Sequence, residues 1–547
     1  MNRLYYGDCL TVMESIPRNS IDLIYLDPPF NSNRNYNAIY KDKIGRPLPV
    51  QIEAFCDTWE LTEERERAIR YMPMLMRESG IDDATAEFWR LWMNALRNTQ
   101  PRLLAYLSYM VERLLKMYPL MKPTASLYFH CDPTASHYIK PLLDAVFGHQ
   151  SYRNEITWQR IGSTQKGSQH ASRSWGTNTD ILLYYVKNPK AAKLDPRRPP
   201  SDMSKEEIEA KFKFIDENGD RYYDDSAHIW STPGMGPRPN LCYEWRGFTN
   251  PHPSGWRLSK ERLQEEYEKG NIVIRPDGRL QRRKYLRDYK GASYGNLWTD
   301  IPMALGKERM GYATQKPLAL LERIIRASSN KGDTVLDPFC GCATTLEAAH
   351  RLERNWIGID IAIHAVKRVA QVRLVDRCGL EEGVHFTVEG VPRSVEGAQD
   401  LWERDKYQFQ KWAVEQVEGF VSQKRTSDGG IDGRIYFELA DMKDLQSMLV
   451  EVKGGKNVNI TDLRALRGVL DAGDAMMAGL ITMHPLGKIQ ERNFRKFMAE
   501  AGDLVVNGRP YSRMQLLSVP EILDGNRFDL PNIAGRHELQ PSLIPVR

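Results

Sequence analysis

The sequence predicts an α/β protein: a parallel sheet, a loop-rich inserted module and a second, C-terminal α/β domain. Three observations predict it. Leu23-Ile24-Tyr25-Leu26 is a short apolar run that ends on Asp27 and is bounded by polar and Pro residues, as a buried parallel strand is. Residues 334–360 read as strand, turn, helix and strand, a β-α-β unit. The chain has 547 residues, and at about 150 per domain that is three or four domain-sized units.

The elements follow in order. The first 30 residues read as strand, helix, strand and loop. Residues about 41–120 read as a helical insertion, with Leu103, Leu104, Leu107, Met110, Val111, Leu114 and Leu115 at helical spacing and Pro73 and Pro101 as punctuation. Residues 126–130 and 181–186 are further strands. Residues about 188–310 are rich in Pro, Gly, Trp and Arg and read as the inserted module. Pro317 opens a helix through Leu318, Leu321, Ile324 and Ile325, with Pro in the first turn, where a missing N–H costs nothing. Strand 334–336, helix 345–351 and strand 356–360 come next. The polar stretch Pro392-Arg393-Ser394 separates a last domain, so the expected division is 1–392 and 400–547.

Hydrophobic residues make up 41% of the chain and charged residues 27%, which excludes a mostly disordered or collagen-like protein. No apolar run approaches the roughly 18 residues a membrane helix needs, and the N-terminus carries no signal pattern. Seven cysteines are too few for a disulfide scaffold and suit reduced thiols in a cytoplasm. The net charge of +5 names no partner, but its distribution does. Arg275, Arg279, Arg282, Arg283, Lys284, Arg287 and Lys290 crowd one stretch with Tyr285 and Tyr289 between them. Arg153, Arg160, Lys166 and Arg173 form a second, near Trp158 and Trp175. Two basic, aromatic-bearing loops point to a polyanion such as double-stranded DNA, with Arg282, Arg283, Lys284 and Arg287 as candidate contacts.

The first turn of the β-α-β unit reads Asp337-Pro338-Phe339-Cys340-Gly341-Cys342-Ala343-Thr344-Thr345, and Asp360 ends the next strand. An acidic residue there suits the hydroxyls of an adenosine ribose. A dinucleotide site wants three glycines so that backbone can approach a pyrophosphate, and this loop has one at the equivalent place. A cofactor with adenosine and no phosphates, S-adenosylmethionine, fits better.

Asp27-Pro28-Pro29-Phe30 is the sharpest feature. It places a carboxylate at a strand end, where parallel sheets bind ligands, on a segment stiffened by two prolines. Asp27 and the Pro28 carbonyl can accept the two hydrogens of an exocyclic amine, leaving its lone pair to face an electrophilic methyl. Phe30 can stack on a base turned out of the duplex.

Together these segments resemble the N4-cytosine/N6-adenine amino-methyltransferases of DNA. Residues 7–10, 27–30, 129–133, 154–158, 314–317 and 337–341 match in order, with the catalytic loop before the cofactor loop. That is similar to the permuted β arrangement shared with modification subunits of type III restriction systems. The resemblance implies a Rossmann-like S-adenosylmethionine-dependent fold with a target-recognition module at about 188–310. It assigns Asp337, Phe339, Gly341 and Thr344 to the methionine and adenosine pocket, Asp360 to the ribose and Asp8 to the adenine side. Thr314, Gln315, Lys316 and Pro317 would close over the methionine end, where a helix N-terminus beside a lysine also suits a carboxylate. Asp at position 27 favours adenine N6 by family habit. Ala343 departs from the family, which usually has Gly there. No cysteine directly follows a proline, so cytosine C5 chemistry is rejected, and Cys340-x-Cys342 lacks the partners of a metal site.

In the last domain, Gly429-Gly430-Ile431-Asp432-Gly433 precedes Leu449-Val450-Glu451-Val452-Lys453. Glu451 and Lys453 share a strand face, and Asp432 precedes a strand that could hairpin against theirs. Two carboxylates can hold Mg²⁺, and a lysine beside them can orient water. With a preceding helix at 408–420 and a strand at 478–482, this resembles Mrr-like PD-(D/E)xK restriction endonucleases. The expectation is therefore a prokaryotic, cytoplasmic, nucleoid-associated DNA adenine-N6 methyltransferase with a Mg²⁺-dependent nuclease-like domain, in a restriction-modification or defence system. The alternative is an orphan methyltransferase, for adenine N6 or cytosine N4, whose last domain binds DNA or a partner without cutting. A homodimer and restriction or defence partner proteins are further expectations.

Overall fold

The computed structural model describes residues 2–28, 35–41, 47–56, 59–162, 175–250, 252–308, 315–362, 365–366, 371–422, 431–439, 442, 446–455, 458–473 and 475–531. The chain divides into two compact units, Met1–Leu194 with Asn296–Arg547, and Asp195–Gly295. The boundary expected near 392–400 lies inside the first.

Among the described residues the first unit holds a larger and a smaller sheet, besides two two-stranded pairs. The strands of the larger are β1 (Asn2–Tyr6), β2 (Ile21–Leu26), β3 (Met121–Cys131), β4 (Tyr152–Gln159), β5 (Thr179–Val186), β6 (Leu297–Trp298), β7 (Thr334–Asp337), β8 (Asn355–Asp360) and β9 (Phe386–Glu389). They lie in the order β6-β4-β5-β3-β2-β7-β8-β1-β9. β2 is parallel to both neighbours, while β5 is antiparallel to β3 and β4. All six residues of β2 are buried, because both faces are covered. Leu23 and Tyr25 pack with Leu320, Leu321, Ile324 and Leu346, from the helices Leu318–Ser328 and Thr344–Arg351. Ile24 and Leu26 pack with Leu104, Leu107, Val111 and Leu114 of the helix Pro101–Leu120. A doubly covered strand needs no polar alternation, which is why it reads as a continuous apolar run.

Three expectations need correction. The insertion is not helical from residue 41: Asn35–Lys41 and Pro47–Cys56 pair as an antiparallel hairpin, and helix begins at Glu63. Pro73 lies inside the helix Glu63–Glu78 rather than ending it. The core contacts of Ile69, Met72 and Met76 outweigh the one backbone bond a proline removes. Pro101 does open a helix at its first position. The helix expected at 408–420 spans Lys406–Gln416. Glu418 turns left-handed at φ +62°, and the chain leaves as a strand at Phe420.

The smaller sheet has β10 (Phe420–Val421), β11 (Gly433–Phe437), β12 (Gln446–Lys453), β13 (Met477–Thr482) and β14 (Met514–Ser518), in that order. β11 and β12 are antiparallel. β13 is parallel to β12 and β14. Leu463, Leu466 and Phe494 cover one face. Phe409, Trp412 and Trp402 continue the core of the larger sheet, and the Tyr6 hydroxyl of β1 donates to Gln408 Oε1 at 2.7 Å. Among the described residues no helix is long and apolar enough to cross a membrane.

The second unit has a four-stranded antiparallel sheet ordered Ile272–Ile274, Leu280–Tyr285, Arg221–Asp224 and Phe214–Ile215. Beside it, Trp245, Trp256, Leu263 and Ile272 form an aromatic-rich core.

Candidate active site

Asp27 follows the last residue of β2 and Asp337 ends β7. These are adjacent parallel strands with Ile24 opposite Leu336. The two loops singled out from sequence therefore emerge side by side at the C-terminal ends of two central strands. Lys316, just ahead of the helix Leu318–Ser328, donates to both Asp27 carboxylate oxygens, at 2.7 and 2.6 Å. That lysine, expected from sequence to close over the methionine end of a cofactor, pairs here with Asp27. Pro317 is the N-cap of that helix rather than a first-turn residue. Gln315 Nε2 donates to the Glu308 carbonyl at 2.7 Å. Pro28 is buried. Pro29, Phe30 and Thr314 lie outside the described residues.

Asp337 is buried, and burial pushes its carboxyl up to about 7, although Thr345 and the Phe339 N–H donate to it. Gly341 takes φ +46° and Ala343 φ +58°. The Asp360 carboxylate accepts the Gly341 N–H at 2.7 Å and the Ala362 N–H at 2.8 Å. Burial pushes that carboxyl up to about 6. Ala343 occupies a left-handed position where Gly is at ease, at about 1 kcal/mol. Thr344 is buried, with its hydroxyl 3.2 Å from Cys342 Sγ. Burial also raises the Cys340 and Cys342 thiols.

Asp8 caps the short helix Cys9–Val12 and accepts Arg113 Nη2 at 2.7 and 3.0 Å. The Arg113 guanidinium lies 3.3 Å from the Tyr109 ring centre, and Tyr109 lies 6.4 Å from Phe339. Arg113 was missed in sequence, where Glu112 beside it and Lys116 nearby make it read as part of an ordinary charged face. Behind β2, Tyr25, His130 and Asp180 form a buried polar chain, also missed.

This geometry fits an adenosine cofactor. One left-handed glycine and the partly exposed Asp360 suit a ribose, and Phe339 supplies an aromatic wall. A Cβ at Gly358 would lie 2.5 Å from Leu346, so helix Thr344–Arg351 packs closely on β8.

Residues 21–371 match the DNA methylase family. The chain belongs to that family. It is 28% identical to the type II methyltransferase M.EcaI of Enterobacter cloacae, over 52% of this chain and 61% of that one. It is 25% identical to the StyLTI Mod subunit, a type III restriction-modification enzyme of Salmonella typhimurium, over 65% and 50%. It is 30% identical to the type II methyltransferase M.HpaI of Haemophilus parainfluenzae, over 66% and 70%. The chain thus spans three-fifths and half of the first two relatives' lengths.

Residues of the smaller sheet form a second cluster. Glu451 and Lys453 lie on β12, with Glu451 Oε1 2.7 Å from Lys453 Nζ. Asp462, not singled out from sequence, lies 3.4 Å from the same nitrogen. Asp432 Oδ2 accepts the Val452 N–H at 2.7 Å. Glu451 is 2% exposed, and its Oε2 is buried with no hydrogen-bond partner among the described residues. Burial raises its carboxyl, opposed by Lys453. No cluster of three or more His, Cys, Asp and Glu side chains with metal-binding geometry occurs among the described residues.

In the methylase's second unit, the basic stretch is partly tied down. Arg282 Nη1 donates to the His228 carbonyl at 3.1 Å and lies 3.5 Å from Asp225. Arg283 stacks over Tyr222 at 4.8 Å, and Arg287 pairs with Asp220. Lys284 is half-buried on the strand face opposite Arg283.

Proposed function

We propose that this methylase transfers a methyl group from S-adenosylmethionine to adenine N6 of a base turned out of double-stranded DNA. The observation that carries the reading is the meeting of Asp27 and Asp337 on adjacent strand ends, although they lie far apart in sequence. When bound, the cofactor supplies an electrophilic methyl on sulfur. Asp360 and Gly341 would hold its ribose, Phe339 its adenine, and Asp8 with Arg113 would shape the adjoining wall. Asp27 and the Pro28 carbonyl would accept the two amine hydrogens, so that the nitrogen lone pair faces the methyl. For that, Lys316 must share or release the Asp27 carboxylate. Asp at position 27 favours adenine over cytosine N4. Lys284 and its basic neighbours would contact DNA phosphates. The relatives' restriction-modification names support a role in such a system.

The test is transfer of a labelled methyl from the cofactor to genomic DNA, followed by sequencing of modified bases. N6-methyladenine at one recurring sequence supports the reading. N4-methylcytosine would move it to the other base, and label in RNA or protein alone would overturn it.

A second activity has its own supporting observation, the buried Glu451 Oε2 beside Lys453, which has no partner among the described residues. Mg²⁺ keeps several waters and takes one or two carboxylates, so Asp432 and Glu451 suit it. Lys453 would orient the attacking water. The reading is Mg²⁺-dependent cleavage of DNA that lacks the methylase's own mark, because N6 methylation changes the major-groove edge of adenine. Plasmid incubated with Mg²⁺ before and after self-methylation tests it. Cutting confined to methylated plasmid, or surviving Glu451→Ala, would overturn it. No cutting at all would leave the last domain as a DNA- or partner-binding module.

A further inference from the structure

Tyr25 stands two residues before Asp27 on β2 and on the same sheet face. Its hydroxyl lies 2.8 Å from His130 Nδ1. His130 Nε2 lies 3.1 Å from Asp180 Oδ2, and the other Asp180 oxygen lies 3.1 Å from Arg160 Nε. His130 is 0% exposed and Asp180 2%. A carboxylate only accepts, so Nε2 carries the proton and Nδ1 faces Tyr25. The chain crosses three adjacent strands, β2, β3 and β5.

Burying a carboxylate and an imidazole among apolar side chains is costly unless both are fully partnered. Plain packing would use neither group. Burial works to raise the Asp180 carboxyl, yet the hydrogen bond from His130 and nearby positive charges, Lys316 among them, hold it below the usual range. One end of the chain sets the strand that leads into Asp27, and the other is anchored on β5, where Asp180 meets Arg160.

We propose that His130 and Asp180 are positioning residues for methyl transfer: His130, held by Asp180 of β5, fixes Tyr25 of β2 and with it the strand end that leads into Asp27, so that the Asp27 carboxylate is aimed at the target amine. The proposal rests on the reading of Asp27 as the acceptor of that amine. A displacement of about 1 Å at such a group costs on the order of 100-fold in rate.

The experiment uses the full chain with His130→Leu, His130→Gln, Asp180→Asn and Asp27→Ala. Single-turnover methylation, cofactor affinity by calorimetry, KM for DNA and the melting temperature are measured for each. His130→Leu and Asp180→Asn are expected to lower kcat about 100-fold, with KM and cofactor affinity within threefold. His130→Gln keeps a donor toward Asp180 and is expected to recover at least tenfold over Leu. A packing role gives the opposite order, because Leu suits an apolar interior better than Gln. Near-normal turnover of His130→Leu, or losses that follow melting temperature alone, would overturn the proposal. Near-normal turnover of Asp27→Ala, or no DNA methylation by the unaltered chain, would instead overturn the reading on which it rests. If His130→Leu fails to fold, the comparison of His130→Gln with Asp180→Asn decides, since only the former keeps the charged Asp180.

Discussion

The chain carries two carboxylate–lysine pairs at strand ends, and they are built differently. Asp27 and Lys316 come from distant segments, and the lysine engages both carboxylate oxygens. Glu451 and Lys453 are neighbours on one strand face. The lysine engages one oxygen, and the other is buried without a partner among the described residues. A fully engaged carboxylate is held in a definite orientation and must be shared before it can accept anything else. A half-engaged one keeps an unmet acceptor in a place where an unmet acceptor is costly, which is where a proton or a cation is welcome. The first arrangement suits the positioning of a neutral amine, the second the binding of charge.

The comparison can be broken at four places, in falling order of effect. Asp27→Ala should lower methyl transfer by about 1,000-fold, the upper range for loss of one oriented polar group. Calorimetry should show cofactor affinity within threefold of the unaltered protein. Lost cofactor binding would place Asp27 in the wrong pocket.

At the other pair, Mg²⁺ at ten times its Kd should stabilise the unaltered chain by about 1.4 kcal/mol, and Glu451→Gln should erase that shift. The same variant should be more stable than the unaltered chain without metal at neutral pH. Burial raises the Glu451 carboxyl, so its ionised form is disfavoured in the folded state. The penalty is absent below the unfolded value and grows as pH rises above it. Melting scans from pH 4 to 8, with and without Mg²⁺, check both effects.

Asp337 sharpens the contrast, because on the methylase side burial also raises a carboxyl, to about 7. The folded value lies above the unfolded one, so the cost appears from about pH 4 and is complete above pH 7. Asp337→Asn should therefore gain more in melting temperature at pH 8 than at pH 5. An equal gain at both would mean that ionisation is not what burial opposes there. The smallest effect is at Ala343. Its φ of +58° favours Gly, and Ala343→Gly should stabilise the chain by about 0.5 kcal/mol once the greater freedom of unfolded Gly is subtracted. Urea unfolding would show it.

What the sequence determined by itself was local. The β-α-β unit, the Asp27 loop, the Asp360 strand end and the Glu451–Lys453 face are each set by a few consecutive residues, through strand periodicity, proline stiffness and turn chemistry. Those signals are written in neighbouring positions and need no partner to be read. Pro73 misled because packing overrides local punctuation when a buried face compensates for it. Tertiary structure alone decided which charges meet: Lys316 with Asp27, Arg113 with Asp8, Asp462 with Lys453, His130 with Asp180. Attraction between charges acts through space and imposes no spacing along the chain. A lysine 289 positions from its carboxylate leaves no trace in either neighbourhood until the sheet brings the two strand ends together.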